Sequence, residues 1–89
     1  MTHVLKIYRC FAKYVFECKK TFEIRINDCD FKVGDFIHFV DTNGMEFLDN
    51  EVFDINDSDN LFVITFVLHD SDWKDVPKGF CIFSIDRVL

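Results

Sequence analysis

Apolar and polar residues alternate without a break from 21 to 27. Phe22, Ile24 and Ile26 form one row; Thr21, Glu23, Arg25 and Asn27 form the other. Strand side chains repeat every two residues, so the segment predicts a strand with its apolar row on the core and its polar row on a surface. A shorter strand is expected over 3–8, where Val4, Leu5 and Ile7 are interspersed with His3 and Lys6. Between them, Phe11, Tyr14, Val15 and Cys18 recur at helical spacing, which predicts a helix over 9–19 with those four as its apolar stripe.

Beyond the alternating segment, residues 27–30 read as a polar turn. Gly34-Asp35 turns the chain into a strand over 36–41. Asn43-Gly44 is a strong turn signal, because both residues accept positive φ. Alternation returns over 51–55, predicting another strand, and 57–60 is a further turn. Residues 61–69 are almost continuously apolar and β-branched or aromatic, which predicts a strand buried on both faces. A loop over 70–79 holds Trp73 and Pro77, and a closing strand is expected over 80–85, extending towards Val88. Strand, helix, then five strands excludes a doubly wound sheet. The expectation is one domain over 1–89, mostly β with one main helix (α+β), its sheet strongly curved or closed.

Composition adds a stabilising device. A chain of 89 residues buries a modest core, and twelve Phe supply large buried areas per residue. No apolar run approaches the ~20 residues of a membrane span. The opening Met1-Thr2-His3-Val4-Leu5-Lys6 has no cleavable apolar core, so a cytoplasmic location is expected. The cysteines at 10, 18, 29 and 81 form no Cys-x-x-Cys pair and read as reduced thiols, with no metal and no cofactor.

The net charge of −6 is unevenly spread. Residues 1–32 carry seven basic and four acidic side chains, whereas 33–60 carry eight acids and neither Lys nor Arg. Phosphate contacts dominate nucleic-acid affinity, so only the first third can supply a basic footprint. Within it, Lys6, Lys20 and Arg25 are candidates to hold a phosphate, with Arg suited to a bidentate grip. Thr21 and Glu23 are candidates to hydrogen-bond a base or sugar. The competing reading is a solvated strand face with a Lys20–Glu23 or Glu23–Arg25 ion pair of small energetic weight. Trp73 is expected to be a lid over the barrel end, His3, His38 and His69 structural, and Asp28 and Asp35 turn formers.

The run Lys19-Lys20-Thr21-Phe22-Glu23-Ile24-Arg25, then Asn27-Asp28, Asp30-Phe31 and Val33-Gly34-Asp35, resembles the ASCH domain family, in particular a branch of short bacterial and phage proteins. His3, Leu5 and Lys6 resemble that branch's opening strand, and Lys78-Gly79-Phe80 with Ile82-Phe83-Ser84-Ile85 its closing segment. The resemblance implies a PUA-like fold, a small β-barrel with a helix at its side and a cleft beside the motif that binds RNA or modified nucleosides. Some small relatives hydrolyse the amide of 4-acetylcytidine with a lysine near the start of the motif, a threonine three residues later and a distant glutamate. Lys20 matches that lysine, but Glu23 stands at the threonine position, and Thr21 lies two residues earlier. Cys18 stands where the family usually has Gly, and Cys29 where this branch often has Arg.

The expected function is therefore an RNA- or nucleotide-binding module whose ligand site is Lys6, Lys20, Thr21, Glu23 and Arg25. One alternative is a small amidohydrolase acting on acylated cytidine-type nucleosides through Lys20, Thr21 and Glu23. Against it, Glu23 offers Lys20 an ion pair where the chemistry needs a neutral lysine beside a hydroxyl. A second alternative is an acidic phage-type interaction or inhibitor protein that meets a basic protein partner through residues 33–60.

Overall fold

The alternating segment is a strand, but its faces are the reverse of those expected. In the computed structural model, which describes residues 1–47 and 60–88, the chain runs β1 (Thr2–Lys6), α1 (Arg9–Phe16), β2 (Phe22–Ile26), β3 (Phe36–Val40), β4 (Phe62–His69) and β5 (Phe80–Arg87). Along β2, Glu23 is buried and Arg25 half-buried, while Phe22, Ile24 and Ile26 are 48%, 55% and 59% exposed. The cause is pairing with β5. Cys81, Phe83 and Ile85 form the inward row of β5, and the antiparallel register sets Glu23 beside Phe83 and Arg25 beside Cys81. A strand's faces are set by its register with its neighbour, and here the fuller apolar row of β5 decides.

The five strands form one mixed sheet in the order β1-β3-β4-β5-β2. β1 pairs with β3 in parallel, and the other pairs are antiparallel. A shift of register between Ile64 and Phe66 bends β4, as bulges do. The sheet curls into a half-barrel whose two edge strands, β1 and β2, come within reach of each other's side chains. β3 and β4 pair only through Phe36–Val63 and Ile37–Phe62. Further along β3, the Asn60 side chain replaces a strand: Phe39 N donates to Asn60 Oδ1 at 3.0 Å, and Asn60 Nδ2 donates to Phe39 O at 2.8 Å.

The core fills the concave side. Leu5, Ile37, Phe39, Phe62, Ile64, Cys81, Phe83 and Ile85 come from the strands, Phe31 and Phe47 from connections, and Ala12, Val15 and Phe16 from α1. Phe31 packs on Phe83 with centroids 4.8 Å apart, and Phe16 meets Phe47 edge-on at 5.5 Å. Such pairs add about 0.5–1.5 kcal/mol each beyond the area they bury. α1 is shorter than expected and buries Ala12, Val15 and Phe16, rather than the stripe of Phe11, Tyr14, Val15 and Cys18. It stops where Cys18 adopts φ 58°, the left-handed conformation that usually follows a helix end, and Lys19 N and Lys20 N then return to Tyr14 O. Arg87 reaches from β5 to donate to Phe16 O, another carbonyl of that last turn.

One expectation is corrected outright. The segment 61–69 is not buried on both faces: in β4, Phe62 and Ile64 are buried, but Thr65 and Phe66 are exposed. Trp73 is 57% exposed. The strand expected over 51–55 lies outside the described residues. No helix among them is long and apolar enough to cross a membrane.

Candidate functional site

Glu23 is the centre of the site, because a carboxylate on an inward row needs a charge partner. It has two. Lys20 Nζ donates to Oε1 at 2.8 Å, and Arg25 Nε donates to Oε2 at 3.2 Å. Lys20 sits at the turn between α1 and β2, and Arg25 lies two residues along the same face of β2, so strand periodicity alone delivers the second pair. Each cation is anchored once more by main chain. Lys20 Nζ donates to Phe22 O at 2.8 Å, and Arg25 Nη2 donates to Lys6 O at 2.7 Å, spanning from β2 to β1.

These groups line a cleft of about 450 Å³ between the two edge strands. Its walls are aromatic: Tyr8 and Phe11 at the start of α1 on one side, Phe22 on the other. Lys20 Nζ lies 5.0 Å from the Phe22 centroid and 5.8 Å from that of Phe11, within cation–π range of both rings. Tyr8 and Phe11 pack edge-on, with centroids 6.3 Å apart. Lys20 and Arg25 are 19% and 23% exposed and Glu23 only 6%, so the carboxylate positions the cations and the cations meet the cleft. After these bonds Lys20 retains one N–H and Arg25 three. Two cations against one carboxylate leave the triad positive.

Four of the five expected site residues, Lys6, Lys20, Glu23 and Arg25, therefore share one cleft. Thr21 does not. It lines a second, small cavity with Val15, Cys18 and Arg87, which Lys20 also borders, and its carbonyl accepts from Ile85 N. Lys6 contributes its carbonyl to the Arg25 bond, while its exposed side chain stands on the outward row of β1. The aromatic walls are not apparent from the sequence pattern: Phe11 falls on the expected core stripe of the helix, Phe22 on the expected core row of the strand, and Tyr8 at the end of the strand expected over 3–8.

The other candidates have structural partners. His3 is buried and bonds Asp35 Oδ2 through Nε2 at 2.8 Å, with its ring packed on Phe31. Asp35 also accepts from Lys32 N, as expected of a turn former. His38 bridges Glu46 and the Asn60 carbonyl. All four cysteines are free, and burial pushes the Cys81 thiol pKa up, which makes it inert. Among the described residues, no group of His, Cys, Asp and Glu is arranged to hold a metal ion. Of the eight acids in 33–60, Asp35, Asp41 and Glu46 fall on described residues, and each is engaged nearby. Asp41 accepts from Asn43 N and Met45 N, and Glu46 pairs with His38.

Fold and site together define a small β-rich half-barrel domain with a cationic, aromatic-walled cleft between its edge strands. The chain belongs to the family described as DUF3850, a domain of unknown function, whose match covers residues 2–85. No curated protein matches it.

Proposed function

We propose that this half-barrel is PUA-like and of the ASCH type, and that its cleft binds RNA or a nucleotide-sized ligand. The observation that carries the reading is the combination in one 450 Å³ hollow of aromatic walls with Lys20 and Arg25 held rigid on a buried carboxylate. A planar base would stack on Phe22 or Phe11, and its phosphate would take the spare donors of Arg25 and Lys20. Preformed ion pairs keep both cations in place before the ligand arrives, which lowers the ordering cost of binding. Free thiols suit a reducing compartment, and a cytoplasmic setting is part of the proposal.

The hydrolase alternative has less support. Lys20 Nζ is engaged by the Glu23 carboxylate and the Phe22 carbonyl, which favours its charged form over the neutral base the reaction needs. The acidic-surface alternative gains nothing from Asp35, Asp41 and Glu46, which are satisfied within the fold.

The test is calorimetric titration with a nucleoside 5′-monophosphate and with short single-stranded RNA, at low and raised salt. Binding that weakens with salt and falls about tenfold in Phe22→Ala, the loss of one stacking contact, supports the proposal. Glu23→Gln, which raises the positive charge of the cleft by one, should steepen the salt dependence. Affinity indifferent to salt and to Phe22→Ala would overturn it. Incubation with 4-acetylcytidine, followed by ultraviolet absorbance, should show no turnover.

A further inference from the structure

The hydrogen-bond register of β2 aims main-chain groups into the cleft. Ile85 N donates to Thr21 O, and Asn27 N donates to Gly79 O. The N–H and C=O of successive strand residues point to opposite sides, so Thr21, Glu23, Arg25 and Asn27 turn theirs to β5. Phe22, Ile24 and Ile26 turn theirs to the free edge, in keeping with the bond from Lys20 Nζ to Phe22 O. Among the described residues β2 ends the sheet and pairs only with β5. Phe22 and Ile24 line the cleft, and Ile26 does not. Lys20 occupies Phe22 O, so Ile24 is left with an N–H and a C=O side by side on the cleft edge, neither of them in the ladder.

We propose that the Ile24 main chain reads the hydrogen-bonding edge of a nucleobase, its N–H donating to an acceptor of the base and its C=O accepting from the adjacent N–H. The inference rests on the nucleotide reading of the cleft. The charged side chains of the cleft do not supply this pairing. Lys20 and Arg25 only donate, and both Glu23 oxygens are already engaged. A phosphate is satisfied by donors alone, but a base edge presents a donor beside an acceptor and needs both in return. Stacking fits the same position. Phe22 stands two residues from Ile24 on the same row, ~7 Å at strand rise, so the edge of a base stacked on its ring is within reach of the Ile24 main chain. Shape selects a base over an extended peptide. Arg25 bridges to Lys6 O across the gap between the two edge strands, and a peptide pairing along β2 would have to pass that bridge, whereas a single planar ring does not.

The test is calorimetric titration of the native protein with uridine 5′-monophosphate, 3-methyluridine 5′-monophosphate and ribose 5-phosphate. The methyl group replaces the ring N–H that the Ile24 carbonyl would accept, and ribose 5-phosphate has no base. Uridine monophosphate is expected to bind about tenfold more tightly than its methylated form, the loss of one hydrogen bond. Ile24→Pro deletes the main-chain N–H at an edge position that tolerates proline, because that N–H is not in the ladder. It should lower the affinity for uridine monophosphate about tenfold and leave that for ribose 5-phosphate unchanged. Where Ile24→Pro fails to fold, as judged by circular dichroism, the Ile24 amide proton of the native protein is the readout. It should move downfield with uridine monophosphate and stay in place with ribose 5-phosphate. Equal affinity for the methylated and unmethylated nucleotides, with an unmoved Ile24 amide, overturns the inference and leaves the nucleotide reading standing. Binding of none of the three probes overturns both.

Discussion

Arg25 of β2 donates through Nη2 to the carbonyl of Lys6 on β1, at 2.7 Å, and so ties the two edges of the sheet across the open side of the half-barrel. The same guanidinium holds Glu23 through Nε. One side chain thus sets the width of the cleft and neutralises its buried carboxylate. Arg25→Ala should cost about 1.5–3 kcal/mol, the range for hydrogen bonds to a charged group, chiefly because Glu23 keeps only Lys20. Arg25→Lys should recover less than half, since an ammonium cannot reproduce the planar fork that reaches both acceptors. Urea unfolding reads this as a lowered midpoint at unchanged slope. An unmoved midpoint in Arg25→Ala would show that the tie bears no stability.

The acid limb of stability has an identifiable contributor. The Asp35 pKa lies below the usual carboxylate value of 3.8, chiefly through its hydrogen bond with His3, with the Lys32 amide and the N-terminal ammonium assisting and burial opposing. A carboxyl lowered on folding stabilises the fold fully above its unfolded value. That contribution fades as pH falls through the lower, folded value. Asp35→Asn should therefore reduce stability by about 1–2 kcal/mol at neutral pH, and the difference from wild type should shrink as pH drops below about 4. Urea midpoints of both proteins across that range check it. A constant difference would mean that Asp35 acts through its shape alone.

How far the sequence showed these features follows from what periodicity can encode. Alternation over 21–27 announces a strand and groups Glu23 with Arg25, because a period of two is local. It cannot say which row faces in. That depends on Phe83 and Cys81, some sixty residues away, through the register with β5. The helical period likewise placed α1 but not its stripe, since two turns leave Phe11 free to face the cleft instead of the core. Thr21 belonged to the polar row by parity, yet it precedes β2 and lines another cavity. Cys18 is the opposite case. Nothing in the local pattern marks it as a helix end, yet its φ of 58° is a conformation that glycine adopts without strain.

Asn60 was legible only as a turn residue, yet it is 2% exposed and completes the hydrogen bonding of β3. Its amide meets both polar groups of Phe39, a donor and an acceptor together, as a neighbouring strand would. Asn60→Ala leaves the Phe39 N–H and C=O buried without partners and should cost about 2–4 kcal/mol. Asn60→Asp separates the two bonds. At neutral pH the carboxylate still accepts from Phe39 N, but it faces the Phe39 carbonyl without a proton to give. When protonated, it can donate again. The folded state then favours the protonated form, so its stabilising effect is present at low pH and disappears as pH rises. Relative to Asn60→Ala, Asn60→Asp should thus gain stability on acidification, whereas the wild-type side chain does not titrate. Urea midpoints of the two variants at several pH values measure the gain. Exchange of the Phe39 amide proton, fast in Asn60→Ala and slow in wild type, locates the effect at β3. A pH-independent gap between the variants would mean that Asn60 holds β3 by packing and not by its paired hydrogen bonds.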